Sequence, residues 1–503
     1  MNIFNRLLIV CCLMGNVVAV DAQNIETSKH NIMPELKISF IKKGVLRPRS
    51  TQEIASSNWI IGCETLDRDM ADYDQYKAYI APLGIKRLRM QAGWAKTEKV
   101  KGKYDWQWLD KIIDDAHKQG FQPWIETSYG NPIYQGGGGI NLSAGIPTSP
   151  EALEAWDKWV EALVIRYKGK VSDWEIWNEP NFGDNEINLP EKVAELNIRT
   201  AEIIKKHQPK AKISGLAMGH IDLKYADLFF KTIYEKGKMS LFDNMTYHDY
   251  VYNPDANYAH VAALKQILDK YAPTIKLRQG ENGAPSSSGY GRGALGDYDW
   301  TEVSQAKWNV RRMLGDLGHD IESSILGIVE MNYGVMNGPI NKKNVKGILE
   351  ADSLNRVIRP KIAYYAMQNV ASVFDNTLQR IKNLATTHNV ETPLKADEVK
   401  YNKGTDRSLA VYGYEHMQSK KQVFTIWLDE AIPTNTNLTK NVNFTILNGN
   451  FDKPVYVDIL TGLVYEIPDN QWQKIGNKYV FNNLPVYDAP ILIADKSLIS
   501  LKK

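Results

Sequence analysis

Two short stretches of this 503-residue chain put a glutamate where it could do chemistry. One reads Trp174-Glu175-Ile176-Trp177-Asn178-Glu179-Pro180-Asn181, the other Leu277-Arg278-Gln279-Gly280-Glu281-Asn282-Gly283. Each is a strand-like run that ends in a polar residue and a turn former. Alternation along an extended chain sets Glu175, Trp177 and Glu179 on one side and Ile176 and Asn178 on the other, until Pro180 ends the strand. Two carboxyl groups facing each other can break a glycosidic bond, one protonating the leaving oxygen and one attacking the anomeric carbon. The plainer alternatives are that Glu179 is a surface carboxylate beside a turn and that Gly280–Gly283 is an ordinary turn.

What could make two residues a hundred positions apart face each other is the repeat around them. From about Asn58 to Asn376, short apolar runs alternate with stretches of helical period. The strands expected are Trp59–Cys63, Ile85–Met90, Phe121–Glu126, Asp173–Trp177, Lys212–Ala217, Asn244–His248, Ile275–Gln279 and Ile325–Glu330. Between them the pattern predicts helices over Tyr73–Leu83, around Leu109–Ala116 and from Pro150 through Tyr167. Further helices are expected over Glu191–His207, Tyr225–Lys236, Ala259–Tyr271, Gln305–Leu317 and Lys361–Phe374. Eight strand–helix pairs in about 320 residues fit an α/β fold of the (β/α)8 TIM-barrel kind. An open doubly wound sheet is the competing architecture, but no glycine-rich nucleotide turn follows any strand. In a barrel the catalytic face is at the C-terminal ends of the strands, so Glu179 (strand four) and Glu281 (strand seven) meet across one mouth.

The motifs carry a resemblance. Trp177-Asn178-Glu179-Pro180 on strand four with a glutamate ending strand seven is similar to the clan A retaining glycoside hydrolases. Within the clan, Glu175-Ile176-Trp177-Asn178-Glu179-Pro180-Asn181 and the trailing β-rich segment most resemble glycoside hydrolase family 39, with family 5 next. The resemblance implies a glycosidase working by double displacement, with Glu179 as acid/base and Glu281 as nucleophile. It implies that Asn178 donates to the sugar 2-hydroxyl and that Arg89, ending strand two, is a cation near the nucleophile. His248 and Tyr250 would line the site, Tyr250 hydrogen-bonding the nucleophile. Trp177, Glu126 on strand three and Asn332 after strand eight are expected to bind substrate. Glu64 and Glu330 also sit near strand ends, where structural roles compete with sugar binding. A transglycosidase using the same residues, or a non-catalytic carbohydrate-binding barrel, are the other functions to weigh.

Two long loops could wall a cleft: Tyr129–Ser149, with Gly136–Gly139 and Tyr134, and Pro285–Thr301, with Tyr290, Tyr298 and Trp300. Lys342, Lys343 and Lys346 follow strand eight; an acidic glycan is one reading, a solvated loop the more ordinary one. No ligand-spaced His, Asp or Glu cluster argues for a metal, and no cofactor is expected.

The remaining composition fits a soluble enzyme. The formal charge is +3 with no long basic block, which gives no footprint for nucleic acid. The 13 Trp and 26 Tyr offer flat faces to sugar rings, although most belong to any core of this size. Residues 1–22 read as a signal peptide: Arg6, the apolar run Leu7–Met14, and small residues up to Ala22. The run is too short to span a membrane, so a secreted or periplasmic protein is expected, with lipidation at Cys11 or Cys12 the lesser alternative. Removing it leaves Cys63 alone, so no internal disulfide can form. After the barrel (57–376), short alternating strands over 377–503 predict a β-sandwich, and Leu36–Val45 within 23–56 is expected to pair into it.

Overall fold

The computed structural model describes residues 33, 36–141, 144–182, 187–289, 291–335, 341–390 and 408–502. The expected signal peptide, with Cys11 and Cys12, and Tyr290 lie outside the described residues. Eight parallel strands form the barrel: β1 Trp59–Gly62, β2 Arg87–Gln91, β3 Gln122–Thr127, β4 Asp173–Ile176, β5 Lys212–Met218, β6 Asn244–His248, β7 Lys276–Glu281 and β8 Ser323–Ile325. Each pairs with its sequence neighbour, and β8 returns to β1. Parallel bridges at Arg278–Glu322 and Asn282–Ile325 close the ring between β7 and β8. The outer helices are α1 Tyr73–Leu83, α2 Gln107–Lys118, α3 Pro150–Arg166, α4 Pro190–His207, α5 Leu223–Glu235, α6 Tyr258–Asp269, α7 Glu302–Gly318 and α8 Ile362–Val373.

The helices start and face as their sequences dictate. Ser149 caps α3 through Ala152 N, with Pro150 at the first helical position, where no amide hydrogen is needed. Trp156, Trp159, Val160 and Leu163 all turn inward from that helix. In α2 the buried face is Leu109, Ile112, Ile113 and Ala116, the spacing of an amphipathic helix.

The eighth strand differs from expectation. It covers Ser323–Ile325 rather than Ile325–Glu330, although Leu326, Ile328 and Val329 are buried as the sequence suggests. Their burial comes from filling the barrel rim, where Ile328 N donates to Gly62 O and Leu326 N to Asn282 O. An apolar run records burial and is silent on whether a ladder continues. Beyond it, Met331–Val335 and Asn341–Asn344 form an antiparallel hairpin over the mouth.

The C-terminal region is two antiparallel sheets. One has seven strands and takes Ile41–Val45 as an edge beside Leu463–Glu466; the other has four and includes Lys440–Ile446 and Lys478–Val486. Aromatic rings meet between the sheets, as at Phe424 and Phe444 (6.4 Å). Helix α7 is clamped between barrel and sandwich. Its Lys307 ammonium donates to Asp488 (2.6 Å), and Arg311 reaches Asp255 and the carbonyl oxygens of Asp429 and Ala431.

Candidate active site

Arg89 is the centre around which the mouth of the barrel is organised. Its guanidinium has no solvent exposure and meets four carboxylates: Glu175 Oε2 (2.8 Å), Glu64 Oε1 (2.7 Å), Glu281 Oε2 (3.2 Å) and Glu126 Oε2 (3.3 Å). It also donates to Asn178 Oδ1 (2.9 Å) and packs over Trp124. Burial works against the arginine charge, and Glu126, Glu175, Glu64 and Glu281 together outweigh it, so the cation is held firmly. One arginine cannot neutralise all four neighbours. Burial pushes Glu64 up to about 8 and raises Glu126, which favours the protonated form of each. Gln91 bridges them, hydrogen-bonded to both.

Glu281 stands at the top of this cluster. Tyr250 donates its hydroxyl to Glu281 Oε1 (2.5 Å) while Arg89 Nη1 holds Oε2. Burial, then the charge of Glu281, raise the tyrosine far out of its ionising range, so it remains a donor. Both oxygens of Glu281 are therefore engaged by donors, which fixes the group's orientation.

Glu179 faces it under different conditions. The strand stops at Ile176, and Trp177 (φ 66°) and Glu179 (φ 50°) take the left-handed conformation. Opposite them Leu216 and Ala217, also left-handed, interrupt the β5–β6 register, and Glu179 N donates to Ala217 O (2.8 Å). Strained backbone on two adjacent strands thus aims one carboxyl group. That group has no arginine in contact, is 4% exposed, and is pushed up by burial to about 7.

His248 joins the two. Arg89 donates to its Nε2 (3.2 Å), and a guanidinium has no lone pair to offer, so Nε2 is the acceptor and Nδ1 carries the hydrogen. Nδ1–H then donates to Glu179 Oε1 (2.8 Å), leaving Oε2 to hold the acid proton. Burial pushes His248 down to about 4, so the ring is neutral at physiological pH. The imidazole packs on Gly280, where an added Cβ would lie 2.9 Å from Nε2. Facing oxygens of Glu179 and Glu281 and Nδ1 of His248 all lie within 4.8 Å of one another. With its hydrogen on Nδ1, the histidine presents this trio with a donor, not the lone pair a metal would take.

The remaining residues separate. Asn178 belongs to the site: its oxygen accepts from Arg89 and its amide donates to the Tyr129 hydroxyl (2.7 Å), with a second amide hydrogen left over. Trp177 does not share a face with Glu175 and Glu179. Its ring, 1% exposed, packs against Trp156 of α3 and Tyr129, because the left-handed turn after Ile176 breaks strand alternation. Glu126 is fully buried beneath Arg89, too deep to touch a sugar. Asn332 lies on the hairpin, donating to Asp352 O (2.9 Å) and Asn355 Oδ1 (2.7 Å), so it braces a loop. Glu330 is tied to Lys343 and Lys361. The four glycines pack backbone against backbone, and Tyr134 is buried against Trp94 with its hydroxyl on Glu98. Lys346, expected in solvent, is 1% exposed.

Glu175, which the sequence shows only as part of the strand-four motif, and Gln91, which it gives no reason to choose, complete the cluster. Glu175 accepts from both Arg89 and Thr246. A charged residue between Trp174 and Ile176 in a barrel strand was the available signal, since such a group demands a buried partner.

Residues 45–278 match the model of the glycosyl hydrolases family 39. A family 39 glycoside hydrolase from the gut symbiont Bacteroides cellulosilyticus shares the fold at TM-score 0.58 and 20% identity, over 87% of this chain and 80% of that one. A monomeric beta-xylosidase from Caulobacter crescentus does so at 0.54 and 16%, over 91% and 98%. In sequence, a 6-phospho-beta-glucosidase from Clostridium longisporum is 22% identical over 193 residues, 35% of this chain. The match spans only 38% of that curated relative's length.

Proposed function

We propose that this chain, most like the family 39 glycosyl hydrolases, is a retaining glycosidase that cleaves β-linked sugars through a covalent glycosyl–enzyme. The observation that carries the reading is the separation of the two carboxyl groups. One oxygen of each carboxyl group lies within 4.8 Å of the other, closer than the roughly 6.5–9.5 Å by which an inverting enzyme makes room for a water between its general base and the sugar, and in keeping with direct attack at about 5–5.5 Å. The relatives named beta-xylosidase and 6-phospho-beta-glucosidase support the β-linkage.

The residues divide the work by environment. Glu281, positioned by Arg89 and Tyr250, attacks the anomeric carbon through its carboxylate as the bond to the leaving oxygen breaks. Glu179, protonated below about pH 7, gives its proton to that oxygen. The ester to Glu281 is neutral, so Glu179 then ionises more easily and takes a proton from water, which attacks the same carbon. Two inversions restore the starting configuration. Asn178, anchored by Arg89, directs its spare amide hydrogen to a sugar hydroxyl beside the reacting carbon.

Azide tests the roles. In Glu179→Ala, azide occupies the vacated side, attacks the ester and gives a glycosyl azide with the substrate's configuration. In Glu281→Ala no ester forms, and azide enters from the opposite face to give the other anomer. Swapped configurations by NMR reverse the assignment, and undiminished hydrolysis in either variant removes that residue from the mechanism.

A further inference from the structure

Lys346 is a cation near the reacting carboxyl groups that the scheme above leaves idle. It follows the hairpin over the mouth, and its backbone is pinned: N–H to Asn344 Oδ1 (3.1 Å), C=O from Gln305 of α7 (3.0 Å). The side chain is 1% exposed. Its ammonium lies 5.1 Å from the ring centroid of Tyr250, the residue that holds the nucleophile. Glu281 and Glu179 are the negative charges it feels most, yet among the described residues Nζ has no hydrogen bond and no carboxylate within 4.0 Å. The opposite wall makes room for it: a Cβ on Gly293 would lie 2.7 Å from Nζ, and Gly293 is in the left-handed region (φ 91°) that suits glycine.

A lysine this buried is ordinarily paired, because desolvating an ammonium with no counter-charge is costly. Here burial pushes it down to about 7, so it sits between charged and neutral, ready to gain a partner. The other lysines of the stretch differ. Lys343 is bound to Glu330, and Lys342 lies over the Tyr333 ring.

We propose that Lys346 reads a negatively charged substituent, a carboxylate, sulfate or phosphate, on the sugar whose anomeric carbon Glu281 attacks. The position selects that sugar, since one tyrosine ring separates the ammonium from the nucleophile. A substituent oxygen would supply the acceptor that the protein withholds, and would draw the proton fully onto Lys346. Neutral hydroxyls could reach the same atom but would leave its charge uncompensated, which is the basis of discrimination. The inference rests on the glycosidase reading.

The test measures kcat/KM of the full chain on matched 4-nitrophenyl β-glycosides of the gluco, galacto and manno series. Each series contains the neutral sugar, its uronide, its 6-sulfate and its 6-phosphate. One charged form should exceed its neutral parent by about 10- to 100-fold, the range of a hydrogen bond between charged groups. Lys346→Gln should bring that ratio close to one, and Lys346→Arg should keep part of it. Because each ratio is taken within one protein, loss of folded enzyme cancels. Which form is preferred identifies carboxylate, sulfate or phosphate. Hydrolysis of neutral sugars with no charged form preferred, or a ratio unchanged in Lys346→Gln, overturns the inference and leaves the glycosidase standing. If no glycoside is cleaved, the glycosidase reading falls instead. Thermal stabilisation by glucuronate, glucose 6-sulfate and glucose 6-phosphate over glucose, lost in Lys346→Gln, then decides anion binding by itself, and its absence overturns that too.

Discussion

Replacing Glu179 by Gln should change the size of the defect with pH as well as with leaving group. The amide keeps the oxygen that accepts from His248 Nδ1, so the site's geometry is preserved and only the proton is lost. With Glu179 at about 7, the native carboxyl is roughly nine-tenths protonated at pH 6 and about one-hundredth at pH 9. The sign follows: the acid form is needed, so native kcat/KM is full below about 7 and falls about tenfold per unit above it. The variant has no such proton and should show no limb there. If the general acid is worth about 10³-fold at pH 6, within the usual range of roughly 10²–10⁴, the deficit should shrink to about 10-fold at pH 9. This holds for a neutral alkyl glycoside, whose leaving oxygen needs the proton. A dinitrophenyl glycoside leaves without help and should show little deficit at either pH. The assay is kcat/KM from pH 5 to 9 on both substrates, which reports the free enzyme and the first bond cleavage. A deficit that does not shrink between pH 6 and pH 9, or that is equal on both leaving groups, refutes Glu179 as the acid.

Other outcomes follow from single contacts. Tyr250→Phe removes the 2.5 Å donor to Glu281 and should lower kcat/KM about 10- to 100-fold on neutral glycosides, with the fold intact by circular dichroism. Asp488→Ala strands the buried Lys307 ammonium between barrel and sandwich; denaturant unfolding should show a loss of about 3–5 kcal/mol. If residues 1–22 act as a signal peptide, mass spectrometry of the full chain expressed in a bacterial host should find a product starting near Gln23, and a product starting at Met1 or carrying a lipidated Cys11 or Cys12 excludes that processing.

Much of the molecule was legible before any coordinates, because its barrel is built from local patterns. The buried stripe Trp156, Trp159, Val160 and Leu163 and the run Asn244–His248 each announce a helix or a strand by period alone. Repetition of such pairs then dictates which strand ends share a face, and so brings Glu179 and Glu281 to one mouth. The edge strands Leu378–Arg380 and Trp472–Ile475 were not legible; three or four residues carry too little alternation to stand out.

What the sequence could not express is who partners whom. Arg89 gathers Glu64, Glu126, Glu175 and Glu281 from four other strand ends, and only that convergence gives Glu281 a cation while Glu179 is left to the effect of burial. Trp177 reads as a neighbour of Glu179 along a strand, yet a left-handed turn sends its ring outward to α3. Lys346 reads as one of three solvated lysines, yet the hairpin, Gly293 and Tyr250 enclose it. Periodicity is set by bonds along the chain and survives in the sequence. Desolvation and charge pairing are set by atoms brought from far along it, and these only the folded barrel decides.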